Sequence, residues 1–203
     1  MIFNLDELSP NQRYFTLTQS IVPRPVAWVL TENSNQSLNL APFSYFSGVS
    51  SDPPLIMISV GKKNDGSMKD TRANIIERNE FVIHIPHKEM AAAVTESARP
   101  LANGESEIDA QQLETVEFEG SRLPRLKDAR IALACEKFRV EDITDSQAMI
   151  LGLIKAVYVD DELITSNDNG RVTIDAEKLS PIGRLGGNDY TGLGEIITIE
   201  RPR

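Results

Sequence analysis

The chain has 203 residues, 40% apolar and 25% charged, a balance that suits one folded domain over residues 1–203 and excludes wholesale disorder. Its 21 Lys and Arg stand against 30 Asp and Glu, a formal charge of −9, which argues against nucleic acid as a partner. A single cysteine, Cys135, leaves no internal disulfide and no thiolate cluster, and two histidines, His84 and His87, leave no histidine-rich metal site, so no metal is expected. No apolar run approaches the roughly 18 residues of a membrane-spanning helix. Met1 to Glu7 lack the basic flank and apolar core of a signal peptide, so a cytoplasmic, membrane-free protein is expected.

In chain order, Arg13 to Ser20 predicts one or two helical turns. Pro23-Arg24-Pro25 forbids helix, and Val26 to Thr31 reads as a buried strand. Asn33 to Ser37 reads as a hairpin tip from which Leu38 to Ala41 returns, with Pro42 expected to end that strand. Leu55 to Val60 is a further strand. Met68 to Arg78 predicts a helix with Ser67 as N-cap and Met68, Ile75 and Ile76 as its apolar positions. Phe81 to Ile85 is the next strand, closed by Pro86, and Lys88 to Ser97 a second helix. Glu105 to Glu119 carries six carboxylates and no Lys or Arg, so it reads as a solvated excursion. Arg130 to Ile143 and Gln147 to Val159 are long strands joined by a tight turn at Thr144-Asp145-Ser146, the first alternating at Ile131, Leu133 and Cys135 and then at Phe138 and Val140, either side of a bulge. Asn169-Gly170 marks another hairpin turn, and Glu195 to Glu200 alternates as a last strand. This inventory predicts a mainly β protein: at least six antiparallel strands in a Greek-key barrel, with a few inserted short helices.

Three stretches are candidate sites. Ser59 to Thr71 takes a strand through Gly61 and Gly66 into a helix whose start carries Lys69, Asp70 and Thr71. Free N–H groups, the helix dipole, the hydroxyls of Ser59, Ser67 and Thr71 and the Lys69 ammonium together make a phosphate seat. Gly61 and Gly66 have Walker A spacing, but Ser67 stands where that loop needs lysine, so triphosphate hydrolysis is disfavoured. A basic, merely solvated helix start explains the same residues. Asn39-Leu40-Ala41-Pro42-Phe43-Ser44 alternates small, polar and aromatic groups, suiting either a planar heteroaromatic ligand or aromatic core packing. Gly183 to Tyr190 offers close backbone approach and Arg184, or is a plain surface loop. His84, in mid-strand, is expected in the core, His87 exposed, Trp28 in the barrel wall and Cys135 buried.

Taken in order, Ile21 to Val29, Asn39 to Ser44, Ser50-Ser51-Asp52-Pro53-Pro54, Lys69-Asp70-Thr71 with Asn74-Ile75, Glu80-Phe81-Val82 and Gly183 to Gly187 with Tyr190 resemble the flavin reductase-like, flavoredoxin-like family with the FMN-binding split barrel. The resemblance runs from about Arg13 to Pro202. It implies a split barrel and a homodimer binding one FMN per subunit near the subunit seam. Ser59, Lys69 and Thr71 then correspond to phosphate ligands, and Asn39, Ala41, Pro42, Phe43 and Ser44 lie along the isoalloxazine and ribityl groups. Gly61, Asp70 and Asn74 join the cofactor-binding set. Arg24 and Arg184 either touch the flavin or serve a neighbouring subunit. Free-flavin reductases of the family often carry a histidine in the C-terminal loop, whereas Arg184 to Tyr190 has none. That leaves use of NAD(P)H open and fits the flavoredoxin-like branch better.

Three functions compete. The first is an enzyme in which FMN takes a hydride from NAD(P)H and passes electrons to a small-molecule or protein acceptor, so that no protein acid or base is needed and no catalytic side chain is singled out. The second is a non-enzymatic FMN-binding electron carrier. The third is a barrel that binds another phosphorylated aromatic, such as pyridoxal phosphate.

Overall fold

The structure, a computed structural model, describes residues 1–102, 104–168 and 171–202; the expected Asn169-Gly170 turn lies outside them. Helix α1 (Pro10–Ser20) starts earlier than the apolar spacing suggested, because Ser9 and Gln12 form a capping box and Pro10 sits in the first turn. The next strands are β1 (Arg24–Pro25), β2 (Ala27–Glu32), β3 (Leu38–Phe43), β4 (Phe46–Ser51) and β5 (Pro54–Gly61). Helix α2 (Asp70–Arg78) leads to β6 (Glu80–His84), and a short 3-10 turn to α3 (Ala91–Glu96). After α4 (Glu107–Gln111), β7 (Thr115–Val116) and β8 (Arg125–Leu126), the long pair β9 (Ile131–Thr144) and β10 (Gln147–Val159) crosses the molecule. The hairpin β11 (Ile164–Asp168) and β12 (Arg171–Ile174), α5 (Ala176–Leu179), β13 (Gly183–Arg184) and β14 (Tyr190–Thr191) complete the fold.

Seven strands form one sheet in the order β3-β2-β6-β9-β10-β5-β4, and all its pairings are antiparallel. Its two edge strands, β3 and β4, are separated in sequence only by Ser44 and Tyr45. Two intervening residues give three Cα–Cα steps, a reach of no more than about 11 Å, so the sheet must curl until its edges nearly meet. The result is the expected split barrel. Both faces are covered. Trp28, Leu30, Val82 and Ala134 point into one cluster with Val94, Ile108, Phe118 and Leu126, while Ala27, Val29, Phe81, Ile83 and Cys135 point into the other with Ile58, Ile75 and Ile150. That is why β2 reads as a continuous apolar run rather than an alternation. Gly152 of β10 lies over Phe81: a Cβ there would come within 2.5 Å of its ring, so glycine lets the strands close on a fully buried aromatic.

The expected bulge is present but lies at Phe138 itself, which was expected among the alternating positions after it. Leu151 faces Arg139 and Gly152 faces Lys137, leaving Phe138 as the extra, exposed residue.

Several expectations are corrected. Pro42 does not end β3 but pairs with Trp28 inside it, tolerated because β3 is an edge strand and a missing donor there breaks no ladder bond. Ser67 is not the cap of α2; its side chain bonds Asp65, the N-cap is Lys69, and Met68 lies exposed outside the helix. Ile76 is exposed as well, Ile75 alone reaching the core. The acidic stretch from Glu105 to Glu119 is only partly solvated, since it folds α4 and β7 over one end of the core and buries Glu107, Ile108 and Phe118. Glu195 to Glu200 forms no strand: no neighbour pairs with it among the described residues, and alternation makes a strand only beside a partner edge.

Both histidines are buried, which corrects His87. Its Nδ1 contacts the Glu89 carboxylate and its Nε2 lies 3.2 Å from the Asp128 carbonyl oxygen, partners that a sequence scan could not place beside it. His84 sits in the core as expected. Trp28 lies in the barrel wall, its indole N–H donating to the Ser97 hydroxyl at 2.8 Å. Burial pushes the Cys135 thiol up to about 12, the behaviour of a small apolar group.

Candidate functional site

The loop after β5 and the start of α2 form one wall of a cleft of about 510 Å³. The loop is held by a tight turn. Lys63 N–H donates to the Ser67 carbonyl at 2.8 Å and Gly66 N–H to the Lys63 carbonyl at 3.0 Å, with Gly66 at φ +84°, a conformation glycine adopts without strain. No side chain caps the N-terminus of α2, so its first amides remain donors at the positive end of the helix dipole.

Charge around this end is unevenly committed. Lys63 pairs with Asp70 at 2.7 Å, and Asp65 accepts the N–H and hydroxyl of Ser67, which hold its carboxyl below the usual range. Lys62 and Lys69 form no ion pair among the described residues. The Lys69 ammonium lies 5.5 Å from the Phe43 ring centroid, a cation–π arrangement, and partial desolvation on the cleft wall lowers its pKa.

The opposite wall is β3, which presents Asn39, Ala41, Pro42 and Phe43 to the same cleft. A buried polar chain fixes the two walls together. Asn39 Nδ2 donates to the hydroxyls of Thr31 and Thr71, each at 3.0 Å, and Asn74 Nδ2 donates to Thr31 Oγ1 at 3.0 Å and Asn33 Oδ1 at 2.8 Å. Because the Thr71 oxygen accepts from Asn39, its hydroxyl proton is free to point at a ligand. Such a satisfied network holds the helix start in one position relative to β3.

The structure thus brings Asn39, Ala41, Pro42, Phe43, Lys69, Asp70 and Thr71 into one cleft. Asn74 supports it from behind. Ser59 accepts from Gln147 Nε2 at 2.6 Å, and Gly61 lies against the same glutamine, both on β5 beside the cleft rather than lining it. Arg24, buried, donates to the carbonyls of Thr18 (2.5 Å), Ile21 (2.7 Å) and Leu185 (2.9 Å) and to Ser44 Oγ (3.4 Å), fastening α1 and the C-terminal loop to the β3–β4 link. Arg184 stacks over Tyr190 at 4.6 Å and bonds its own loop. Neither arginine lines the cleft in this chain, nor does Ser44.

Two groups of lining residues lie outside the three candidate stretches. Ser97 to Leu101, after α3, forms the roof. Glu107 of α4 enters the cleft from the acidic stretch, accepting the Leu40 N–H at 2.8 Å, and burial raises its carboxyl above the ordinary value. The only advance signal for Glu107 was Ser106, a capping residue ahead of an apolar Ile108, which marks a helix start inside an otherwise acidic run.

An anion-ready helix start facing an apolar strand across a cleft of this size suits a phosphorylated planar ligand, and comparison with known proteins agrees. The flavin reductase like domain model matches residues 19–173. Over 206 residues the chain is 35% identical to the uncharacterized protein YwrF of Bacillus subtilis, covering 99% of this chain and 98% of that one. Nitrilotriacetate monooxygenase component B of Bacillus cereus superposes with a TM-score of 0.89 at 38% identity, covering 98% of each chain. The 2-nitrobenzoate 2-nitroreductase NbaA of Pseudomonas fluorescens gives 0.89 at 31%, covering 100% of this chain and 96% of that one. A flavoredoxin of Desulfovibrio vulgaris shares the fold at 20% identity and 0.74, covering 88% and 91%. No helix among the described residues is long and apolar enough to cross a membrane. The chain belongs to the flavin reductase like domain family, as the ordered motifs from Ile21 to Tyr190 implied.

Proposed function

We propose that this chain is a cytoplasmic FMN-binding oxidoreductase that takes electrons from NAD(P)H and delivers them to a separate acceptor. The observation that carries the reading is the cleft itself: uncapped α2 amides, the Thr71 hydroxyl and unpaired Lys62 and Lys69 at one end, and the flat apolar surface of Ala41, Pro42 and Phe43 along its side. In this reading Lys69, Thr71 and the α2 amides hold the phosphate, Ser59 and Gly61 shape the strand end beside it, and Asn39 to Ser44 lies along the ring and its chain. A bound flavin supplies the hydride and electron chemistry, and the side chains bind it, orient it and exclude water. Two similar proteins are a monooxygenase component and a nitroreductase, which favours a working reductase over a passive carrier. The purified protein is expected to show visible flavin absorption or to take up FMN in a titration, and NADH or NADPH should bleach it in stopped flow. No FMN uptake overturns the reading; FMN uptake with no bleaching by either nucleotide moves it to the electron carrier.

A homodimer belongs to the same proposal. Tyr14, Phe15, Ile21, Val22 and Val49 are exposed on or beside α1 and β4, and β4 is an open sheet edge. Apolar residues and unpaired edge amides of this kind call for cover. Arg184, partly exposed and outside the cleft of its own chain, would be the arginine to support a neighbouring subunit, whereas Arg24 is buried and bonded within its own chain. Light scattering should give twice the chain mass; a monomer with bound flavin contradicts it.

A further inference from the structure

β3 is the edge of the sheet, so the amides on its open side have no strand partner. One of them, Leu40 N–H, is satisfied by Glu107 Oε2 at 2.8 Å, a contact made across 67 residues of sequence. That bond fixes the carboxylate beside Asn39 and Ala41. Glu107 is 9% exposed and lines the cleft, yet its Oε1 accepts no hydrogen bond from any described residue. The charged groups that face it are Lys63 and Asp70, and Lys63 is already held by Asp70 at 2.7 Å. Oε1 is therefore left open to the cleft, an acceptor held in place by its partner oxygen and free to take a donor from a ligand.

We infer that Glu107 is a specificity-determining residue of the cleft, its Oε1 accepting a hydrogen bond from a hydroxyl of the polyol chain next to the phosphate of a flavin nucleotide. The inference rests on the flavin reading above and adds to it the group read beside the phosphate. A carboxylate this close to the α2 anion seat repels a second anion, so the donor is neutral. In a flavin nucleotide the neutral donors beside the phosphate are the ribityl hydroxyls. Riboflavin carries the same chain without the phosphate, and lumiflavin, with a methyl group in its place, has neither.

Those three flavins make the test, titrated into protein freed of flavin. Glu107→Gln keeps a carbonyl oxygen for Leu40 N–H and puts a neutral NH2 where the carboxylate oxygen stood, so a bond to a hydroxyl there loses its charge assistance. FMN and riboflavin should both weaken by up to roughly tenfold, the difference between a charge-assisted and a neutral hydrogen bond, with lumiflavin unchanged. Unchanged FMN and riboflavin would reduce Glu107 to a cover for the β3 edge and overturn the inference, as would an equal loss for all three, which signals a disturbed wall. Melting of the ligand-free variant checks the fold. If Glu107→Gln melts early, Glu107→Asp is titrated instead, since it keeps the charge but withdraws the oxygen, and the same selective loss is expected. Failure of the wild type to bind FMN overturns the flavin reading itself and is seen before any variant is made.

Discussion

Replacing Lys69 by alanine is expected to weaken FMN by roughly ten- to a hundred-fold while leaving riboflavin within about a factor of two. Lys69 is the N-cap position of α2, its ammonium makes no ion pair among the described residues, and it shares the cleft with uncapped helix amides. A phosphate dianion there gains a charge-assisted bond contributing about 1.5–3 kcal/mol, and riboflavin has no phosphate to lose it. Lysine on a solvated face would change either affinity by only a few tenths of a kcal/mol. Equal small losses for both ligands would therefore remove Lys69 from the site. Equal large losses would indicate misfolding, which melting of the ligand-free variant detects. Salt provides a second reading: raising it should weaken FMN more than riboflavin in the wild type, and that difference should shrink in the variant. The pattern is the complement of that for Glu107→Gln, where FMN and riboflavin fall together, so the two variants separate the phosphate end of the cleft from its sugar-chain wall.

What the sequence disclosed follows from how far apart the interacting residues lie. The cleft wall from Lys62 to Thr71 was legible because its parts are consecutive, and a strand end, a glycine loop and a helix start are each local signals, though Ser59 and Gly61, expected in the same site, lie beside the cleft. The barrel was legible because β9 and β10 are long, alternating and joined by a tight turn. Glu107 was hidden for the opposite reason. Its partner, Leu40, is 67 residues away, and an acidic run with no lysine or arginine resembles a solvated loop until Ile108 and Phe118 are seen in the core. Arg24 was legible as an important position but not in its role, because an arginine that binds three backbone carbonyls and one that binds a flavin look alike in sequence. The tail from Glu195 to Glu200 shows the limit of periodicity, which specifies a face but cannot supply the neighbouring strand.

Acidification should cost the fold stability through His84, before the bulk of its carboxylates titrate. The imidazole is fully buried: Nδ1 lies 3.0 Å from the Trp28 carbonyl oxygen, to which it donates, and Nε2 accepts the Leu126 N–H at 3.0 Å. This arrangement requires the neutral ring, since a second proton on Nε2 would face a donor in a dry interior. Burial chiefly, with help from the nearby Arg125 charge and against the Trp28 hydrogen bond, lowers the pKa from 6.5 to about 4. Above pH 6.5 both folded and unfolded chains hold a neutral His84, and its contribution is complete. Between pH 6.5 and about 4 the unfolded chain binds the proton and the folded one does not, so stability falls as the pH falls. The full loss is about 3 kcal/mol, of which about 2 kcal/mol is reached by pH 5, where most carboxylates are still ionised. Denaturant unfolding at pH 7 and pH 5 measures it in the wild type and in His84→Asn. That variant retains a donor for the Trp28 carbonyl, is less stable at pH 7 because Leu126 N–H loses its acceptor, and should lack about 2 kcal/mol of the wild type's pH dependence. His87 is present in both proteins, so the difference between the two profiles isolates position 84. Profiles of equal slope would place the titration elsewhere and show that His84 does not stay neutral in the fold at pH 5.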